Sequence, residues 1–251
     1  MEDYKEKLSL MLARTGALFF DKGLVLKDGR PTPYFVNMAM FRSGRLSIEM
    51  GSFFAAMMVS EGLVKETDII LGPSYKGSSI ALATSIALWQ EYAIDLNFEY
   101  DRKEAKTHGE GSKTKSMFVN GTLFDGCRIF IVDDVATSMK TKYDLLGKIE
   151  SDGGMNRKSH ISGIGICIDR QQTTAVYDAR GDVVLNRKGE DAVKDFVSKS
   201  GVPVFAVAGI REVVDYLHKK KEPVLINGVS MPMGDGTKAE FDEYLNGYGT
   251  N

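Results

Sequence analysis

Apolar positions along this chain change period several times, and the changes mark out the elements. From about Glu2 to Phe20 the apolar residues fall at helical spacing. Val25-Leu26-Lys27 then leads into a polar turn, Asp28-Gly29-Arg30-Pro31, followed by extended Tyr34-Phe35-Val36-Asn37. Leu46 to Glu61 reads as an amphipathic helix stopped by Gly62. Strand and helix patterns then alternate: a strand over Asp68 to Leu71, a glycine-rich turn, a helix over Ser79 to Tyr92, and a strand over Asp95 to Tyr100. After a polar loop come a strand over Arg128 to Val132, a helix over Tyr143 to Ile149 and a strand over Ile164 to Ile168. A helix near Gly189 to Ser200, an apolar stretch Val202 to Val207 and a helix Ile210 to Lys220 follow. The tail from Glu222 is rich in Gly, Asn and Met, with one weak helical patch at Lys238 to Leu245. No internal repeat is visible. The alternation predicts an α/β fold whose mostly parallel sheet is covered by helices on both faces.

With 251 residues and 43% hydrophobic content the chain can bury a sizeable core. A formal net charge of −2 gives no global pull toward nucleic acid or acidic membranes, so any anion site must be built locally. No apolar run reaches bilayer-spanning length, and MEDYKEKLSL reads as a charged amphipathic helix rather than a signal peptide. A cytoplasmic protein without membrane or nucleic-acid partners is expected. Cys127 and Cys167 are spaced for neither a zinc site nor a redox pair and read as small core residues. The methionines and Trp89 read as core filler. His218, beside Lys219 to Lys221, reads as solvated, and His160 precedes a strand without an obvious partner.

The densest chemistry lies in Cys127 to Lys142, CRIFIVDDVATSMKTK, where a buried strand ends in two carboxylates and a hydroxyl-rich turn. Ligands of open α/β sheets collect at the carboxyl ends of strands, and helix N-termini attract phosphate. Asp133 and Asp134 could accept hydrogen bonds from two neighbouring ribose hydroxyls, with Thr137, Ser138 and Thr141 offering hydroxyls and main-chain donors to a 5′-phosphate; a strand-end Asp also serves solubility or helix capping. A VDDV string also occurs in receiver domains, but there it follows the first strand, and here it lies past the middle of the chain. Gly72-Pro73-Ser74-Tyr75-Lys76-Gly77 joins a strand to a helix, so its amides and Lys76 are candidates for a second anion. It lacks Walker A spacing. Residues 101 to 115, DRKEAKTHGEGSKTK, carry five cations (Arg102, Lys103, Lys106, Lys113, Lys115) against three anions (Asp101, Glu104, Glu110). The segment reads either as solvated surface or as a cationic lid over a diphosphate. Arg170 follows a strand and is suited to gripping a carboxylate bidentately, or to pairing with Asp169.

In order and rough spacing, LKDGRPTPYFVN, LGPSYKGSS, DRKEAKTHGEG, IFIVDDVATS and ICIDRQ resemble orotate phosphoribosyltransferases over most of residues 1 to 220. R-K-E-A-K-x-H-G-E-G is the most specific part. The resemblance implies a type I phosphoribosyltransferase-like fold: a single domain with a hood from about residues 1 to 45 plus part of the C-terminal region, a core over about 46 to 220, and a tail over 221 to 251. It implies transfer of phosphoribosyl from phosphoribosyl diphosphate to N1 of orotate, with inversion at C1, through an oxocarbenium-like transition state. Lys27 and Phe35 would lie in the hood over the base, and Tyr75 and Lys76 by the diphosphate. Arg102, Lys103, Lys106 and His108 would form the lid, Asp133 and Asp134 would hold the ribose, and Val135, Ala136, Thr137, Ser138, Met139, Lys140 and Thr141 the 5′-phosphate. Thr137 and Arg170 would hold orotate. Mg²⁺ would come mainly with the diphosphate, and a homodimer would share its lids between sites.

Three departures stand out. Met139 replaces the glycine of a T-A-G-T-like turn and brings Lys140 with it, Val36 replaces a second aromatic, and the segment from about Thr173 to Arg187 plus the tail lengthen the chain. Two alternatives remain from the residues: a different nucleobase as acceptor, and a sensor that binds phosphoribosyl diphosphate without turnover. At this length no fused decarboxylase is expected.

Overall fold

The computed structural model describes residues 1–103, 116–136, 139–152 and 158–250. They form two compact units. The first comprises Met1–Arg42, Ile168–Asp195 and Ala208–Asn251, and the second Ser43–Cys167 and Phe196–Val207.

The second unit holds β3 (Ile69–Gly72), β4 (Asn97–Tyr100), β5 (Arg128–Val135) and most of β6 (His160–Asp169) and β7 (Val204–Gly209), and these strands line up as β4-β3-β5-β6-β7 in a five-stranded parallel sheet. Ile69, Ile70 and Leu71 of β3 face Ile129, Phe130 and Ile131 of β5 in register. All six are fully buried, as strands covered on both faces require. α2 (Gly44–Ser60) packs against α3 (Lys76–Tyr92), and Ser43 caps α2 by accepting the Leu46 N–H. α4 (Lys140–Ser151) follows β5, and α5 (Ala192–Ser200) precedes β7. Strand and helix alternate as the sequence predicts, with boundaries shifted: β5 runs on through both aspartates, and α3 begins at Lys76 rather than Ser79.

In the first unit a four-stranded hood sheet has the order β2-β1-β8-β9, from β1 (Leu18–Val25), β2 (Pro31–Val36), β8 (Pro223–Ile226) and β9 (Val229–Pro232). α1 (Asp3–Arg14), α6 (Ile210–Lys220) and α7 (Asp235–Tyr248) accompany it. α1 stops short of the predicted Phe20, because Thr15 and left-handed Gly16 end it and Leu18 to Phe20 enter β1. The tail is more ordered than its composition suggests. β8 pairs in parallel with β1 and turns back through Asn227-Gly228 to pair with β9. Trp89 corrects the core-filler expectation: it is 59% exposed and shares one face of α3 with exposed Leu82 and Ile86. His218 is not merely solvated but lies 3.0 Å from Asp235. Cys127 and Cys167 are buried free thiols, as predicted. Among the described residues no helix is long and apolar enough to cross a membrane.

Candidate functional site

The glycines of the turn Gly72 to Gly77 are there for packing. A Cβ on Gly72 would lie 1.9 Å from the Gly77 carbonyl oxygen, and one on Gly77 would lie 2.5 Å from the Pro73 ring. Bare backbone lets the first turn of α3 sit directly on the end of β3. This places Lys76 at the helix start with its ammonium 2.7 Å from Asp134 Oδ2. Tyr75 is exposed, and the Lys103 ammonium lies 5.2 Å from its ring centroid, within cation–π range.

At the end of β5, Asp134 N–H donates to Asp133 Oδ1 and Val135 N–H to Asp134 Oδ1, both at 2.9 Å. Each side chain is thus held by the next peptide. Asp133 Oδ2 then receives the Lys142 ammonium at 2.5 Å. Each of the two neighbouring carboxylates is therefore paired with its own ammonium, Asp134 with Lys76 and Asp133 with Lys142. Burial pushes the Asp133 carboxyl above the usual range and the Asp134 charge adds to the rise, while Lys142 pulls it back. Cys167 is pushed up by burial and by the Asp134 charge, so its thiol stays neutral.

Met139 precedes α4 in the left-handed region, at φ 57° and ψ 0°, and its side chain is buried. The backbone conformation that a glycine would take freely is kept, at about 1–2 kcal/mol for a residue with a Cβ. Lys140 and Thr141, the next two residues, are exposed at the helix start, and Val135 and Ala136 are half-buried. Thr137, Ser138, Lys106 and His108 lie outside the described residues.

Asp101, which the sequence pattern puts in a polar loop, is buried at the sheet's edge. It bridges to Phe118, and Arg102 N–H donates to Met117 O at 2.6 Å, so residues 102 and 117 are pinned together. Asp101 Oδ1 accepts the Ser74 N–H at 2.6 Å and Oδ2 the Lys148 ammonium, while its carbonyl accepts the Ser74 hydroxyl. One residue thereby ties the glycine turn to α4. Neither Lys142 nor Lys148 was singled out from sequence. For Lys142 a signal existed: a cation in the first turn of a helix opposes the helix dipole and calls for an anion nearby.

In the first unit, Lys27 is exposed in the β1–β2 turn, and Phe35 is half-buried against Phe19, with centroids 5.8 Å apart. The Arg170 guanidinium lies 5.8 Å from the ring centroid of fully buried Tyr34. Its Nε and Nη2 are buried and have no hydrogen-bond partner among the described residues. Asp169 instead accepts the Gln171 N–H at 2.7 Å, and its burial raises its pKa, against that bond and with the Asp191 charge. Buried guanidinium nitrogens without partners are rare, and they suit a planar anion.

No family model matches the chain. It is 31% identical over 249 residues to the orotate phosphoribosyltransferase of Bifidobacterium adolescentis, a match covering 95% of this chain and 94% of that one. With the orotate phosphoribosyltransferase of Clostridium beijerinckii it shares 31% identity over 250 residues, 99% of each chain. Its fold is similar to the crystal structure of orotate phosphoribosyltransferase from Francisella tularensis, with a TM-score of 0.72 and 23% identity over 97% of this chain and 98% of that one.

Proposed function

The chain belongs to the orotate phosphoribosyltransferase family, and we propose that Lys76, Asp133, Asp134 and Arg170 carry the family's reaction in it. The enzyme is a transferase of pyrimidine biosynthesis. It moves the phosphoribosyl group of phosphoribosyl diphosphate to orotate, giving orotidine 5′-phosphate and pyrophosphate. The bond from C1 to the diphosphate breaks, its electron pair leaves with pyrophosphate, and N1 of orotate bonds to C1.

In this reading Asp133 and Asp134 accept the two ribose hydroxyls, and the turn through Met139, Lys140 and Thr141 to the start of α4 takes the 5′-phosphate, together with Thr137 and Ser138. As C1 becomes cationic, the two carboxylates stabilise it electrostatically. Lys76 is 53% exposed in its pair with Asp134 and is free to turn to the diphosphate, where Arg102, Lys103, Lys106 and His108 join it to neutralise the leaving group. Arg170 grips the orotate carboxylate with the two nitrogens that lack partners. Lys27 and Phe35 cover the base. The observation that carries the reading is the adjacent carboxylate pair at the end of β5, each member held by an ammonium and heading a left-handed turn into α4.

Mg²⁺ is the proposed cofactor. Asp133 and Asp134 are hard oxygen donors of the kind it prefers, but each already holds an ammonium. The residues present therefore fit an ion that would arrive on the diphosphate, where it would screen the leaving group's charge. A homodimer is proposed too, supported by the exposed stripe Leu82, Ile86 and Trp89 on α3, a surface suited to contact with a second copy. The proposed compartment is the cytoplasm, where the buried thiols Cys127 and Cys167 stay reduced. The test follows orotate absorbance on mixing enzyme, phosphoribosyl diphosphate and Mg²⁺, with pyrophosphate quantified in parallel. Stoichiometric loss of orotate and gain of pyrophosphate is expected. Binding of phosphoribosyl diphosphate without turnover would overturn the assignment in favour of a sensor, and turnover only with another base would move the acceptor.

A further inference from the structure

Lys142 occupies a position that the helix pattern reserves for an apolar residue. With Leu145 and Ile149 it makes up the buried face of α4, at spacings of three and then four. Only 4% of its side chain is exposed. Lysine is almost never buried that far without a partner, because taking an ammonium out of water costs several kcal/mol. It also stands in the first turn of α4, which carries no acidic residue and where the helix dipole repels a cation. Two unfavourable placements in one residue call for a compensating anion. Asp133 supplies it, with Lys142 Nζ 2.5 Å from Oδ2 and 3.3 Å from the Val135 carbonyl oxygen.

We infer that Lys142 is a positioning residue of the phosphoribosyl site, whose fixed ammonium keeps Asp133 ionised and turned so that its remaining lone pairs accept a ribose hydroxyl. The inference rests on the reading of Asp133 given above. Asp133 Oδ1 takes the Asp134 N–H and Oδ2 takes Lys142, so each oxygen keeps one lone pair. The other groups that bear on this carboxylate cannot do the same work. Asp134, its neighbour on β5, adds repulsion; Lys76 comes from α3 but reaches Asp134; and Cys167 on β6 stays neutral. Burial and Asp134 both drive Asp133 toward its protonated form, which would turn one acceptor oxygen into a donor and would bring no charge to a cationic C1. The ammonium of Lys142 opposes that protonation. The two lysines of the cluster therefore divide the work: Lys76 is exposed and able to leave its carboxylate, and Lys142 is not.

The test measures kcat/KM for phosphoribosyl diphosphate, with Mg²⁺ and saturating orotate, across about pH 5.5 to 9.5. Wild type, Lys142→Met, Asp133→Asn and the double variant are compared, and circular dichroism checks that each is folded. Lys142→Met is expected to move the acid limb up by ~1 pH unit or more, a loss of ~10-fold on that limb with recovery toward pH 9. Lys142→Arg, which restores a cation, should bring the limb back toward wild type. In the Asp133→Asn background Lys142→Met should add less than about 2-fold, because its effect passes through Asp133. An unmoved limb, or losses that multiply in the double variant, would overturn the inference and leave Lys142 a packing residue. If Lys142→Met fails to fold, Lys142→Gln is read by the same criteria. Wild type without turnover, and without calorimetric binding of phosphoribosyl diphosphate, would overturn the reading of Asp133 and this inference with it; an active wild type separates the two failures.

Discussion

Replacing Arg170 by Met should stabilise the unliganded enzyme while destroying its use of orotate. Among the described residues, Nε and Nη2 of Arg170 have no hydrogen-bond partner, and both are buried. Each such donor costs about 1–3 kcal/mol, or roughly 2–6 kcal/mol for the pair. The contact with the Tyr34 ring, at 5.8 Å, returns at most about 2 kcal/mol. The net liability is therefore on the order of 0–4 kcal/mol, centred near ~2 kcal/mol, and Met fills similar space without it. In a chain of this size each kcal/mol moves Tm by about 2–4 °C, so Arg170→Met should melt roughly 3–8 °C higher without ligands. Orotate should lose a bidentate, desolvated pairing worth about 3–4 kcal/mol, or two to three orders of magnitude in kcat/KM for orotate, with KM for phosphoribosyl diphosphate little changed. Thermal melts with and without orotate, together with steady-state kinetics on each substrate, read both effects. A variant that melts below wild type without ligand, or that uses orotate within about 3-fold of wild type, refutes the reasoning that these nitrogens wait for an anion.

Glu99 is fully buried and accepts from Tyr100, Val119, Asn120 and Thr122 main-chain N–H groups and from the Thr122 hydroxyl. Glu99→Gln turns an NH₂ toward at least two of these donors and loses charge-assisted bonds of about 1.5–3 kcal/mol each, so Tm should fall by about 10 °C; a fall under about 3 °C would refute the network. Met139→Gly removes a buried side chain, a loss of about 2–5 kcal/mol, but relieves left-handed strain of about 1–2 kcal/mol, so it should melt lower yet keep its KM for phosphoribosyl diphosphate. Met139→Val, β-branched and ill suited to that conformation, should raise the same KM by about 10-fold or more, and an unchanged value would show that the turn's φ does not matter to phosphate.

The core sheet was legible because its strands are short, continuously apolar and separated by helices; Ile69 to Leu71 and Ile129 to Ile131 hardly admit another reading. α6 runs over Ile210–Lys220 as predicted, since amphipathic spacing and the Glu212 carboxylate, which accepts the Gly209 N–H, both fix its start. β1 is hard to separate from α1 because Phe19, seven residues after Leu12, continues the helical spacing of Leu8 and Leu12, and the break at Gly16 carries less weight than the run. The β8–β9 hairpin was overlooked although Asn227-Gly228 sits between two apolar runs with both residues at positive φ, the strongest short hairpin signal a sequence offers. Trp89 failed for another reason: α3 is apolar on both faces, and periodicity does not say which face the fold leaves open. The site divides along the same line. Its residue types were legible because the chemistry of VDDV and of the glycine turn is local. Its pairings were not, because Lys76 and Asp134 are 58 positions apart and Lys142 reads as one more exposed lysine at a helix start. Charge that the sequence offers to phosphate is thus already engaged with carboxylate in the fold, and only exposure, high at Lys76 and nearly absent at Lys142, distinguishes the cation that can be handed over from the one that must stay.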